Sequence, residues 1–172
     1  MAVVTTKSAE ITNRDATPRV LNNARVFGAQ VRHCRGVVTA VAADSTTSVY
    51  IFTSIPSNAL IVRAAISNAA LAGTSTLDVG LQQTTQDGGG AIPGASGTPS
   101  QFFKAGSAVS GAQSKVDITQ GNVITPANSE QPLWQQLGLS ADPTKFYDVI
   151  GTVQTAAVNT GGAIEVEIDY TI

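Results

Sequence analysis

A chain of 172 residues suits one domain with enough length for a sizeable core. Apolar residues make up 42% and charged residues 13%, and Ser, Thr, Asn, Gln and Gly supply most of the polarity, a balance that favours β-structure and turns over helices. The single cysteine excludes an internal disulfide framework, and no apolar run approaches the ~20 residues that cross a bilayer. The start MAVVTTKSAEITNRD lacks the basic, apolar, small-residue order of a secretory signal, so synthesis in a reducing cytoplasm is expected.

The net charge of −2 hides an asymmetry. Residues 1–36 carry six basic side chains (Lys7, Arg14, Arg19, Arg25, Arg32, Arg35) against Glu10 and Asp15, whereas residues 37–172 carry four bases and ten acids. A basic leader on an acidic body can dock on its own body, on an acidic neighbour or on a polyanion. Residues 1–31 show no sustained period of either kind and are expected to form an extended arm, ordered only where it lies on something else.

From Arg32 the pattern is that of strands. VVTAVAA (37–43) is β-branched and runs into the turn-rich ADSTTS. SVYIFTSI (48–55) is apolar on both sides, which predicts a central strand buried on two faces. Pro56-Ser57-Asn58-Ala59 breaks the ladder, and LIVRAAIS (60–67) resumes it with Leu60, Val62, Ala64 and Ile66 on one face. TLDVGLQQ (76–83) points Leu77, Val79 and Leu81 inward. Residues 86–115, rich in Gly and Pro, predict a long surface loop in which Phe102 and Phe103 are the large apolar groups. KVDIT and NVITP within 115–126 are short strand fragments. SEQPLWQQLG (129–138) is the helix candidate, with Ser129 as cap, Pro132 in the first turn and Gly138 at the close. YDVIGTVQTAAV (147–158) and AIEVEIDYTI (163–172) flank Asn159-Thr160-Gly161-Gly162, a hairpin turn by composition. Seven or eight strands, one short helix and no βαβ rhythm predict an all-β antiparallel sandwich of jelly-roll type over 32–172.

The closing strand alternates Ile164, Val166, Ile168, Tyr170 and Ile172 with Glu165, Glu167, Asp169 and Thr171. Acids two apart on one face stand roughly 6.8 Å apart, compatible with inverting glycosidase spacing but unable to supply a calcium ion with its oxygens. A general acid needs an apolar pocket to raise its pKa, and an alternating strand offers solvent, so the row reads as the wet side of a sheet. His33 and Cys34 are the only residues of their kinds and point to opposite faces of a strand, so they make neither a nucleophile–base pair nor a zinc site. Asp87-Gly88-Gly89-Gly90 lacks the Lys-Ser/Thr of a phosphate loop. Trp134, beside Leu133 and Leu137, reads as a lid over the core, with sugar stacking as the competing role. Adjacent Phe102 and Phe103 in a glycine-rich loop suggest an anchor for a partner subunit. Arg14, Arg19, Arg25 and Phe27 of the arm are the matching candidates on the leader. The arginines are spread out without interleaved aromatics, so docking on protein is expected rather than on nucleic acid.

The stretches SVYIFTSIPSNALIVRAAISNAAL, STLDVGLQQT, PLWQQLGLSADP and YDVIGTVQTAAVNTGGAIEVEIDYTI resemble the head decoration proteins of tailed bacteriophages, also called cement or stapling proteins, over residues 32–172. That resemblance implies a jelly-roll virion protein, made in the host cytoplasm, that binds the outside of an assembled capsid and bridges its subunits. The implied partners are the major capsid protein and a second copy, a homodimer being expected over a trimer, with no nucleic acid, no membrane, no cofactor and no catalysis. The alternatives are a carbohydrate-binding β-sandwich of a phage fibre or tail using Trp134, and a glycosidase using two of Glu165, Glu167 and Asp169.

Overall fold

In a computed structural model, which describes residues 7–18, 20–25 and 28–172, the alternating segments become eight strands and two short helices. The strands are β1 (Arg32–Ala40), β2 (Val49–Pro56), β3 (Leu60–Asn68), β4 (Thr76–Gln83), β5 (Lys104–Ala108), β6 (Gln113–Asp117), β7 (Phe146–Gln154) and β8 (Gly162–Thr171). Helix α1 is Ala9–Asp15 and α2 is Leu133–Gln136. Two four-stranded sheets have the orders β1-β8-β3-β6 and β2-β7-β4-β5. The pairs 1–8, 2–7, 3–6 and 4–5 are those of one long antiparallel ribbon wrapped around a core, the jelly roll.

Alternation decides which side chains fill the layer between the sheets. β8 sends Ile164, Val166 and Ile168 inward at 0% exposure, and β4 meets them with Leu77, Val79 and Leu81. β4 begins and ends where its pattern predicts. Val62 departs from its predicted face: the register with β8 slips between Ile61 and Arg63, and this irregularity leaves Val62 52% exposed while Ile61 is buried.

Three further expectations are corrected. β2 is the outermost strand of its sheet, not a central one, and its outward Val49 and Ile51 remain about half exposed. Its apolar character on both sides reflects an outer surface, described below, rather than two buried faces. Residues 159–162 do not form a hairpin turn, because β7 and β8 belong to different sheets; the connection is laced to other loops by Val158 N–H to Asp44 O (2.9 Å) and Thr160 N–H to Leu71 O (2.9 Å). The loop placed at 86–115 contains β5 and most of β6.

The helix candidate shrinks to one turn. Ser129 donates to the Pro126 carbonyl instead of capping, and Pro132 sits at the N-cap. The stop is as expected: Gly138 takes φ +74°, its N–H reaches Gln135 O, and Leu139 N–H reaches Trp134 O, the paired bonds of a Schellman close. Leu133 and Leu137 enter the core.

The arm is also more structured than expected. Ser8 caps α1 by accepting from Ile11 N–H, Lys7 pairs with Asp15 at 2.8 Å, and Asn13 donates to Asn22 at 3.0 Å. Within 7–18 and 20–22 the arm thus carries a short capped helix with local hydrogen bonds.

Candidate functional site

β8 lies between β1 and β3, and each outward acid pairs with a base from another strand of its sheet. Arg35 pairs with Glu165, Lys115 with Glu167 at 3.3 Å, and His33 Nδ1 with Asp169 Oδ1 at 2.6 Å. Arg63 stands opposite Asp169 in the register. The bases cover the acids, whose side chains are only 15–28% exposed. Burial by itself pushes Glu167 up, but the hydrogen bond and charge of Lys115, with His33 nearby, hold its carboxyl below the usual range. An acid paired in this way lacks the apolar surroundings a general acid requires. The row is the outer face of a sheet, wetted less than expected and neutralised by its neighbours.

His33 and Cys34 lie on opposite faces. His33 faces outward to Asp169, while Cys34 packs against the core with its thiol toward Ile168 O, and burial pushes that thiol up from its ordinary value. Among the described residues no cluster of His, Cys, Asp and Glu could hold a metal ion. Gly88, Gly89 and Gly90 all take positive φ in a turn where Thr84 accepts from Asp87 N–H and Asp87 pairs with Lys145 at 2.8 Å. This is turn chemistry, not a phosphate cradle. A hollow of about 610 Å³ beside it is lined by Pro93, Leu139, Asp142, Lys145 and Tyr147. Its two charges are already engaged, Lys145 by Asp87 and Asp142 by Ser57 and Thr144. Trp134 is half-buried, its backbone N–H held by Ser57 O.

The expected partner anchors do not converge. Phe102 and Phe103 are both 0% exposed, edge to face with ring centres 5.0 Å apart, so as surface anchors they are corrected: they are core. The cause is Gly80. A Cβ there would fall 2.2 Å from Ser100 C and 2.3 Å from Pro99 O, so only glycine lets the turn at 99–101 lie on β4. Phe103 N–H then bonds Val79 O, and both rings turn inward. A glycine in mid-strand was the available signal. Arg25 roots the arm: its guanidinium donates to Asn58 O and its own carbonyl accepts from Thr171 Oγ1 at 3.1 Å. Arg19, Phe27 and the side chain of Arg14 lie outside the described residues.

Sequence reasoning missed one surface. On the outer face of the β2-β7-β4-β5 sheet, a groove of about 310 Å³ runs between β2 and the segment covering β4. Val49, Ile150, Ala91 and Pro99 line it, Ile51 flanks it, and no charged residue does. The pattern of β2 carried the signal, since a strand with apolar residues on its outer side needs something to cover them.

No family model matches the chain, and no curated protein matches it. Among solved structures it is similar to a chain of the cyanophage Pam1 capsid asymmetric unit, with 19% identity, a TM-score of 0.56 and 97% of each chain covered. At that identity the likeness is one of fold, and it extends over nearly the whole of both chains.

Proposed function

We propose that the chain is a non-enzymatic structural protein of a phage virion, bound to the outside of the capsid shell and stabilising it by bridging neighbouring subunits. The observation that carries this reading is the near full-length likeness to a chain of a phage capsid asymmetric unit. The molecule's own physics agrees. Its acids are tied to bases across one sheet, its aromatic pair is spent on the core, and an arm carrying a short capped helix extends from the body. Such an arm adds contacts to a second subunit, and many weak contacts acting together over a shell give tight net attachment. The binding partners in this reading are the major capsid protein and further copies of the chain.

Co-sedimentation tests it. The full chain is mixed with shells, assembled without it, from the phage that encodes it. Retention on the shells at a fixed stoichiometry, with a raised disruption temperature, is the expected result, and deletion of residues 1–31 is expected to weaken retention while leaving the sandwich folded. Absence of retention at saturating concentration would overturn the capsid role. Undiminished retention of the truncated chain would remove the arm from it.

A further inference from the structure

The apolar layer between the sheets ends in two polar side chains. β4 sends Leu77, Val79 and Leu81 inward, and β7 sends Val153 and Val149 to meet them. The next inward positions on these strands are Gln83 and Tyr147, which stand opposite one another in the register. Both line the hollow of about 610 Å³ beside the turn at Gly88–Gly90. The Tyr147 ring packs in the core and is only 3% exposed, yet its hydroxyl has no hydrogen-bond partner among the described residues and opens on the hollow. The Gln83 amide, the Ser140 hydroxyl and Asp142 Oδ2 likewise have no partner among the described residues. A buried tyrosine hydroxyl normally finds a partner within the chain, so this one is an unmet hydrogen bond on the floor of a cavity.

The walls are held in place by bonds of their own. Ser96 N–H and Oγ both bond Leu137 O, Thr144 N–H bonds Asp142 Oδ1 at 2.9 Å, and Ser57 N–H bonds Lys145 O at 2.7 Å. Fixed walls lower the ordering cost of binding. The charges argue against an ionic ligand. Lys145 is spent on Asp87, and the two carboxylates of Asp87 and Asp142 outnumber its one ammonium, so an anion gains little there. Among the described residues no cluster could hold a metal ion. A wholly apolar ligand would leave Tyr147, Gln83 and Asp142 dry and unpaired. Burial, and next the charges of Asp142 and Asp87, push the Tyr147 hydroxyl up from its ordinary value, so it stays protonated and able to donate. What fits is a neutral molecule with several groups that donate and accept, and with C–H faces to lie on Ile92, Pro93 and Leu139.

We infer that this hollow binds a neutral saccharide, with Tyr147 and Gln83 as its hydrogen-bonding floor and Asp142 Oδ2 accepting from a sugar hydroxyl. Hydroxyls on a sugar ring both donate and accept, as the Tyr147 hydroxyl and the Gln83 amide do, and the ring's C–H faces are apolar. The volume falls within the roughly 300–1,000 Å³ of small-ligand pockets, enough for a mono- or disaccharide. Trp134 does not line the hollow. The sequence points to stacking on that aromatic, whereas the structure offers hydrogen bonds at the end of the core. This reading does not rest on the capsid role, and its test uses no shell.

The test is amide-resolved NMR of the full chain titrated with glucose, galactose, mannose, N-acetylglucosamine, maltose and lactose up to about 50 mM, a range that detects a Kd near ~1 mM. The expected result is saturable shifts with at least one of these sugars, confined to residues around the hollow. Tyr147→Phe keeps the packed ring and removes only the hydroxyl, and Gln83→Leu removes the amide. Each is expected to weaken binding about three- to tenfold, the value of one hydrogen bond, with thermal melts confirming the fold. Trp134→Ala is expected to leave the affinity unchanged. Absence of saturable shifts with all of the sugars overturns the inference, as does binding that both floor variants leave unchanged or that Trp134→Ala abolishes. Shifts at the same residues with a neutral capped Gly-Ser peptide, and with none of the sugars, would assign the hollow to a protein segment and overturn it too.

Discussion

The Phe102–Phe103 pair separates a core role from an anchoring role by energy. Both rings are fully buried and meet edge to face at 5.0 Å with an interplanar angle of 84°. Truncating a buried Phe to Ala costs about 3–5 kcal/mol, the transfer free energy of the ring plus the cavity left behind. Their mutual contact adds about 0.5–1.5 kcal/mol beyond burial, which a double-mutant cycle isolates. For a domain of this size 1 kcal/mol moves Tm by about 2–4 °C, so Phe102→Ala and Phe103→Ala should each lower it by on the order of 10 °C. Urea titration read by tryptophan fluorescence and circular dichroism gives the free energies, with Phe102→Leu expected to recover most of the loss. If either alanine variant unfolds within about 1 kcal/mol of the wild type, the rings are not holding the two sheets together, and the origin assigned to them in Gly80 fails with it.

Gly80→Ala is expected to cost about 1–3 kcal/mol in the same titration, because its Cβ would meet the backbone of Ser100 at 2.2 Å and the turn at 99–101 must lift. Gly88→Ala meets nothing within 4 Å, so any loss there comes only from its φ of +103° and should be smaller, about 1 kcal/mol. Acid should destabilise the fold through Asp87, lowered by Lys145 and Thr84, through Asp117, lowered by Thr119, and through Glu167, lowered by Lys115 against the effect of burial. Since these folded-state values lie below the ordinary 3.8 and 4.5, the stability they contribute is present above that range and is lost as pH falls through the lower folded values. Melting curves from pH 7 to pH 2 should show this limb, and Lys115→Met should flatten it. Cys34, its thiol pushed up by burial, should react with a disulfide reagent roughly tenfold or more slowly in the native state than in denaturant; equal rates would contradict its packing against the core.

Period-2 segments were legible because alternation acts locally. β4 over Leu77–Leu81 and β8 over Ile164–Ile168 keep one apolar face that lands where the pattern puts it, while at the end of β8 Thr171 is buried and Ile172 exposed. Sheet membership was not legible for the same reason: alternation says which side of a strand is apolar and nothing about its neighbour. Hence β7 and β8 looked like a hairpin when they cross between layers, and β2 looked central when it is an edge. Val62 escaped the pattern because the register with β8 slips between Ile61 and Arg63, while Ala64 and Ile66 beyond it keep the predicted buried face. The helix of the arm was illegible because a seven-residue helix has too few turns to show a period, although Ser8 before Ala9 was its cap in plain view.

The two sheets spend their outer faces differently, and this bears on how the molecule meets others. Around β8 the outer face is closed to strong apolar association, since Glu165, Glu167 and Asp169 already hold Arg35, Lys115 and His33, and a partner placed there would have to desolvate paired charges for little return. Around β7 the outer face is covered over β4 by the turn at 99–101 but left open beside β2, where Val49 and Ile51 stand half exposed. Burial of that uncovered apolar strip is favourable without breaking an ion pair. The arm leaves from the opposite end of the sandwich, at Asn58 and Thr171.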